Sequence, residues 1–241
     1  MTTLVVGATG ATGKQLVAQL LDMGQKVKAI VRPTSNIPDH WNNNDKIELI
    51  KANVSEIRED EMMNHLIDCQ SVASCLGHNI NLKGIFGKPR KLVTEAANLI
   101  CKAIEKNAPE KPIKFVLMNT TASRNRDINE PISTKEKIMM GMLRTLVPPQ
   151  LDNEKAADFL RVDIGQNNKL IDWVAVRPET LIDEDTVSEY KAYASPTRST
   201  LFDPGKTSRI NVGNFMAKLI VDQDLWTTWK GQMPVIYNKE D

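Results

Sequence analysis

The sequence predicts an α/β fold: a doubly wound, mostly parallel sheet with helices on both faces. Three observations predict it. An apolar segment near the N-terminus runs into three glycines and then a helix; short apolar runs alternate with amphipathic helices through most of the chain; and no composition break divides the 241 residues. Repeated strand-helix-strand units lay successive strands parallel, with right-handed crossovers. A chain of this length buries a substantial core, and no internal repeat or low-complexity stretch marks a second unit, so one domain over residues 1–241 is expected.

Taken in order, Thr2-Thr3-Leu4-Val5-Val6 reads as the first strand, followed by Gly7-Ala8-Thr9-Gly10-Ala11-Thr12-Gly13. Gly7 permits a tight turn out of the strand, Gly10 lets bare backbone approach a ligand, and Gly13 allows close packing of the next helix. Leu16, Val17, Leu20 and Leu21 recur at helical spacing, and Gly24 closes that helix. Strand, glycines and helix in this order form the context that a dinucleotide phosphate site requires. Its free N–H groups and helix dipole favour a negative charge. A mononucleotide P-loop fails here, because it needs glycine where Ala8 stands and Ser or Thr where Gln15 stands. A plain strand-turn-helix without ligand is the competing reading.

Further strands are predicted over 26–32, 46–51, 71–76, 113–118 and 171–177, with helices over about 55–67, 91–106, 153–161 and 212–221. Weaker strands fall near 190–194 and at 234–237. Residues 123–150 break the rhythm: the polar Arg124-Asn125-Arg126-Asp127 precedes Ile138, Met139, Met140, Met142, Leu143, Leu146 and Val147. This stretch reads as an insertion carrying one apolar helix and acting as a substrate lid, with Met139 and its neighbours an adaptable cover; plain helix packing is the alternative.

Ligands of such sheets sit beyond the carboxyl ends of the strands. About 20 residues past the glycines a dinucleotide site offers an acid to the adenine ribose, or an arginine to a 2′-phosphate. Here Arg32 stands at that place with Thr34 and Ser35 beside it, and no acid occurs from residue 27 to 35. A guanidinium forks onto phosphate oxygens and gains little from a neutral ribose, so NADP(H) is expected over NAD(H).

Together these residues resemble the atypical short-chain dehydrogenase/reductase group with an NAD(P)H-binding Rossmann domain, within it the biliverdin-IXβ reductase / flavin reductase branch and its NmrA-like relatives. The resemblance covers most of the chain. It rests on the glycine segment, on Val31-Arg32-Pro33-Thr34-Ser35, and on Leu146-Val147-Pro148-Pro149. Asp152-Asn153-Glu154-Lys155-Ala156-Ala157 and Trp173-Val174-Ala175-Val176-Arg177-Pro178 complete it. It implies NADP(H) binding and hydride transfer to a flat conjugated acceptor. Where the family ends its third strand in an adenine-binding acid, this chain has Asn53, so Asn53 and the Val54 backbone inherit that role.

Most short-chain dehydrogenases use a Tyr four residues before a Lys, the ammonium lowering the phenol pKa. The tyrosines here are Tyr190, Tyr193 and Tyr237, and none is followed by Lys at that spacing; Lys155 resembles the family's lysine, with Leu151 in the partner slot. Common carbonyl reduction and sugar epimerisation lose their device. A flavin or biliverdin stabilises charge itself, so positioning suffices.

The nicotinamide end is expected among Leu76, Gly77 and His78, then Asn119, Thr120 and Thr121, then Pro178 and Glu179. His78 is a candidate proton donor, against a plain strand-end histidine; Thr120 is a candidate hydrogen-bond donor, and Thr121, Arg124 and Glu179 are candidate substrate contacts. The competing function is a non-catalytic NADP(H)-binding redox sensor. HExxH, a Gly-x-Ser-x-Gly elbow and clustered histidines are absent from the sequence, so metal and hydrolase chemistry lack their parts. A net charge of +1 gives no footprint for nucleic acid. No apolar run is long enough to insert stably in a bilayer. Without a leader pattern or a paired-cysteine framework, a cytoplasmic protein acting on a small molecule is the expectation.

Overall fold

The computed structural model describes residues 1–78 and 89–239, with Thr145 described by its backbone alone. Five parallel strands form first: β1 (Thr2–Val6), β2 (Lys26–Val31), β3 (Ile47–Lys51), β4 (Ser71–Ser74) and β5 (Ile113–Met118). They are followed by β6 (Ile171–Pro178), β8 (Tyr190–Tyr193) and β10 (Val235–Asn238), giving an eight-stranded sheet in the order β3-β2-β1-β4-β5-β6-β10-β8. Only β8 runs antiparallel, against β10. The doubly wound architecture is therefore as the sequence predicts. Val6 lies opposite Ile30 of β2 and Ser74 of β4, so three strands end level at the glycine loop.

Alternation along the strands divides the core in two, since successive side chains of a strand face opposite sides. Leu4, Val6, Val72, Phe115, Leu117 and Trp173 face α2 (Glu59–His65), α3 (Leu92–Asn107) and α5 (Pro148–Asp158). Val5, Ala73, Val116, Val174 and Val176 face α1 (Ala11–Asp22), α6 (Arg209–Val221) and α7 (Gln223–Trp229). α1 and α6 touch backbone to backbone: a Cβ on Gly213 would sit 2.8 Å from the Leu16 nitrogen. Asn214 Nδ2 donates to Gln19 Oε1 across the same contact at 2.6 Å. Trp226 is buried under α6, with the Lys114 ammonium 5.0 Å from its ring centroid.

Several boundaries differ from expectation. The charged stretch 55–67 starts its helix only at Glu59, where Arg58 N–H donates to Glu61 Oε2 at 3.0 Å and fixes the first turn. β4 stops at Ser74, leaving Cys75 and Leu76 in the loop beyond it. The stretch 123–150 holds α4 (Thr134–Leu146) and also the start of α5, because Pro148 and Pro149 occupy first-turn positions where a missing N–H costs nothing. α5 is thus five residues longer at its start than predicted, and it runs into a π-helical turn over Phe159–Ile164. α6 begins at Arg209 because Ser208 Oγ accepts from Asn211 N–H, a cap preceding the first apolar residue. The short parallel pair β7 (Thr180–Ile182) and β9 (Lys206–Ser208) was not legible, three residues each being too few for a period.

Candidate functional site

After β1 the chain goes outward through β2 and β3 and returns on the other side at β4, so the sheet reverses direction beside β1. Crevices for ligands form at such switch points. Gly7 turns there with φ +75, and a Cβ on it would lie 2.6 Å from the Cys75 carbonyl. Gly13 is tighter still: a Cβ there strikes the Gly7 carbonyl oxygen. Gly13, in the first turn of α1, thus lets the helix close onto the residue that follows β1. Gly10 N–H donates to Gly7 O at 3.0 Å, and α1 then begins with no side-chain cap and no acid in its first turn. The N–H groups of Ala11, Thr12 and Gly13 are left without partners inside the helix.

A cleft of ≈ 570 Å³ opens from this loop, lined by Gly7, Thr9, Gly10, Arg32, Asn53, Val54, Leu76, Gly77 and His78 among others. Nine of the predicted positions therefore meet in one place. Thr9 Oγ1 donates to Ser35 Oγ at 3.1 Å and ties the glycine loop to the segment after β2. Arg32 is exposed on the rim and makes no ion pair among the described residues. Asn53 Nδ2 donates to Glu56 Oε2 at 3.0 Å, which leaves its amide oxygen as the outward acceptor. Glu56 also lines the cleft, and the sequence reading missed it, since it lies three residues beyond the position where an acid is sought.

The His78 side chain is 7% exposed, and its Nε2 lies 2.8 Å from Asp152 Oδ2. The same carboxylate accepts from Val93 N–H at 2.9 Å and from Thr94 N–H and Oγ1 at 3.1 and 2.6 Å. Asp152 of α5 thus caps α3 from outside, since Lys91 gives that helix no side-chain cap. With Nε2–H donated to the carboxylate, the Nδ1 edge of His78 is what remains for other partners. The plain strand-end reading of His78 gives way to a held, oriented imidazole. Nothing near Asp152 in the sequence announces this, because its partners lie 58 to 74 residues away.

The remaining candidates lie outside that cleft's lining. Asn119 is buried after β5, donating to Asn153 O at 3.0 Å and accepting from Thr120 N–H at 2.8 Å. Thr120 Oγ1 accepts from Ala122 N–H at 3.3 Å. Thr121 donates to Glu179 Oε1 at 3.0 Å, and Gly205 N–H donates to Glu179 Oε2, so this carboxylate braces β6, β9 and the loop after β5. Burial pushes the Glu179 carboxyl above its ordinary value despite those donors. As a substrate contact Glu179 is already engaged. Pro178 closes β6, and Lys155 is exposed on α5 without an ion pair among the described residues.

Arg124 gives an N–H to Glu130 O at 2.6 Å, and the segment it belongs to is clamped by Arg177. Arg177 is fully buried: Nη2 meets Glu130 Oε1 at 2.6 Å, Nη1 meets Ser123 O at 3.0 Å and Nε meets Met233 O at 2.7 Å. Met139 lies outside the lining of the glycine-loop cleft. It is 43% exposed with Ile138, Met142 and Leu146, and Met140 is the methionine that turns inward, because α4 packs through only one narrow side. Among the described residues no helix is long and apolar enough to cross a membrane, and no group of three or more His, Cys, Asp or Glu is placed to hold a metal.

The switch-point crevice, the glycine turn and the uncapped helix define a protein of the class that binds nicotinamide dinucleotides. A family model described as NAD(P)H-binding matches residues 7–223, and the chain belongs to that family. Solved structures share its fold. The oxidoreductase ylbE from Lactococcus lactis superposes with a TM-score of 0.70 at 16% identity, covering 100% of this chain and 92% of that one. A short-chain dehydrogenase/reductase from Veillonella parvula in complex with NADP gives 0.70 at 13% identity, covering 98% and 94%. A candidate NADH-flavin reductase from Streptococcus pneumoniae gives 0.64 at 17% identity, covering 99% and 100%. Comparison with curated protein sequences returns no match.

Proposed function

We propose that this chain is an NADPH-dependent reductase acting on a planar conjugated acceptor of the flavin, biliverdin or quinone type. The observation that carries the reading is Arg32, exposed on the rim of the glycine-loop cleft without an ion-pair partner among the described residues, opposite the uncapped start of α1. The residues fit the coenzyme: a Cβ at Gly7 or Gly13 would collide with neighbouring backbone, so only glycine lets the loop close at the start of α1, where the N–H groups of Ala11, Thr12 and Gly13 would receive a diphosphate. Arg32 and Ser35 would take the 2′-phosphate, and Asn53 Oδ1 with the Val54 backbone would meet adenine. The NADP held by the Veillonella parvula neighbour supports the nucleotide class.

When bound, NADPH supplies a hydride. The chain's residues position and protonate: Leu76 and Gly77 on one side and Asn119 and Pro178 on the other frame the nicotinamide end, and Thr120 donates toward the acceptor. His78, oriented by Asp152, is the proton donor, through its Nδ1 edge. Burial pushes the Tyr190 phenol up to about 12 and the Tyr237 phenol higher, so neither replaces the absent Tyr–Lys pair. Lys155 takes the family's lysine place as a cation near the ribose. Residues 123–150 form the cover of the substrate side within a single domain. The three cysteines are free and buried, with Cys69 and Cys75 raised to about 11 and 12, which suits a reducing cytoplasm.

The test is NADPH and NADH oxidation, followed at the nicotinamide absorbance, with FMN, FAD, biliverdin and quinones as acceptors. Turnover with at least one acceptor, faster with NADPH, is expected. Tight NADPH binding without oxidation by any acceptor identifies a sensor instead. Thr120→Val is expected to lower turnover about tenfold with little change in NADPH affinity; unchanged turnover removes Thr120 from the site.

A further inference from the structure

Beneath α4 lies a second cavity, of ≈ 280 Å³, which shares no lining residue with the glycine-loop cleft. Its walls come from the loop after β5, from α4 and from α5. Four cations, Arg124, Arg126, Lys137 and Arg144, line it against two carboxylates, Glu154 and Asp158. The carboxylates engage two of the cations: Arg144 Nε lies 2.8 Å from Glu154 Oε2, and Arg126 Nη1 lies 3.4 Å from Asp158 Oδ2. Arg124 gives an N–H to a backbone carbonyl, which leaves its charge in place, and Lys137 has no ion pair among the described residues. The lining therefore keeps positive charge that no carboxylate in it offsets.

Ser123 supplies a second, independent observation. It is 1% exposed and lines the cavity, yet its hydroxyl has no hydrogen-bond partner among the described residues. A buried hydroxyl beside a cavity and without a partner has an unused donor, and a ligand in that cavity would use it. Ile132 and Met140 add an apolar wall.

We propose that this cavity binds a small organic acid, a carboxylate or phosphate monoester on a compact apolar body. Arg124 and Lys137 hold the anion, the Ser123 hydroxyl donates to one of its oxygens, and the body rests on Ile132 and Met140. Charge-assisted hydrogen bonds of this kind are shorter and stronger than neutral ones. The volume is too small for a dinucleotide, which separates this ligand from the coenzyme.

Calorimetric titration with benzoate, phenyl phosphate and the neutral benzamide, each with and without saturating NADP⁺, tests the assignment. Either anion is expected to bind about tenfold or more tighter than benzamide; the tighter of the two names the acid group. Lys137→Ala is expected to remove about tenfold of that affinity and Ser123→Ala several-fold, with unfolding midpoints unchanged. NADP⁺ is expected not to displace the anion. Equal binding of benzamide, displacement by NADP⁺, or anion affinity untouched by Lys137→Ala overturns the proposal.

Discussion

The glycine-loop cleft and the region beneath α4 are built by opposite means. In the first, backbone does the work: a positive-φ turn, a helix start without a cap, and strand ends held level by their register. In the second, side chains from distant segments do it, with Arg177 of β6 reaching Glu130, Ser123 and Met233 to fix a loop that has little regular structure of its own. A backbone-built site tolerates no added atoms, whereas a side-chain-built one tolerates no lost charge.

The largest expected effect breaks the second kind. Arg177→Met leaves Glu130 buried without its counter-charge and should cost about 3–5 kcal/mol in denaturant unfolding; a loss below ~1 kcal/mol would mean that Glu130 finds water. Gly13→Ala attacks the first kind, placing a methyl on the Gly7 carbonyl. It should destabilise by about 1–3 kcal/mol and abolish NADPH binding, measured by calorimetry; retained binding would show the loop to be adaptable.

Smaller changes sharpen the contrast. Arg32→Ala should weaken NADPH about tenfold and leave NADH unchanged, with no effect on stability; an equal loss for both coenzymes would contradict the 2′-phosphate role. The smallest effect is in pH dependence. Because the Glu179 carboxyl is raised in the fold, the folded chain binds that proton more tightly than the unfolded chain does. Its contribution is complete below the ordinary glutamate range and is lost as pH rises from there through the raised value. Glu179→Gln should flatten unfolding midpoints across that window, and an unaltered slope would assign the pH dependence elsewhere.

What the sequence showed follows the same division. The glycine spacing, the strand periods and Arg32 are local signals, each set within a few residues, and they brought nine candidate positions to one cleft. Glu56 escaped because a turn after β3 brings it back to the cleft. Asp152, Arg177 and Glu130 escaped because each draws its role from partners 47 or more residues away, which periodicity does not register. Met139 was placed on the covering side because the apolar residues Ile138, Met139, Met140, Met142 and Leu143 crowd around the helix with no phase until it has something to pack on.

The contact of α1 with α6 sets an order of events during synthesis. Gln19 meets Asn214 across 195 residues, and Leu16 and Val17 share their core with Val212 and Phe215. A nascent chain that has emerged only as far as β6 carries the coenzyme loop complete in sequence, yet the helix behind it has an uncovered apolar side. Closing so long a loop is slow and entropically costly. α1 is thus seated only after α6 has been made, and coenzyme binding becomes a report that residues 209–221 have arrived.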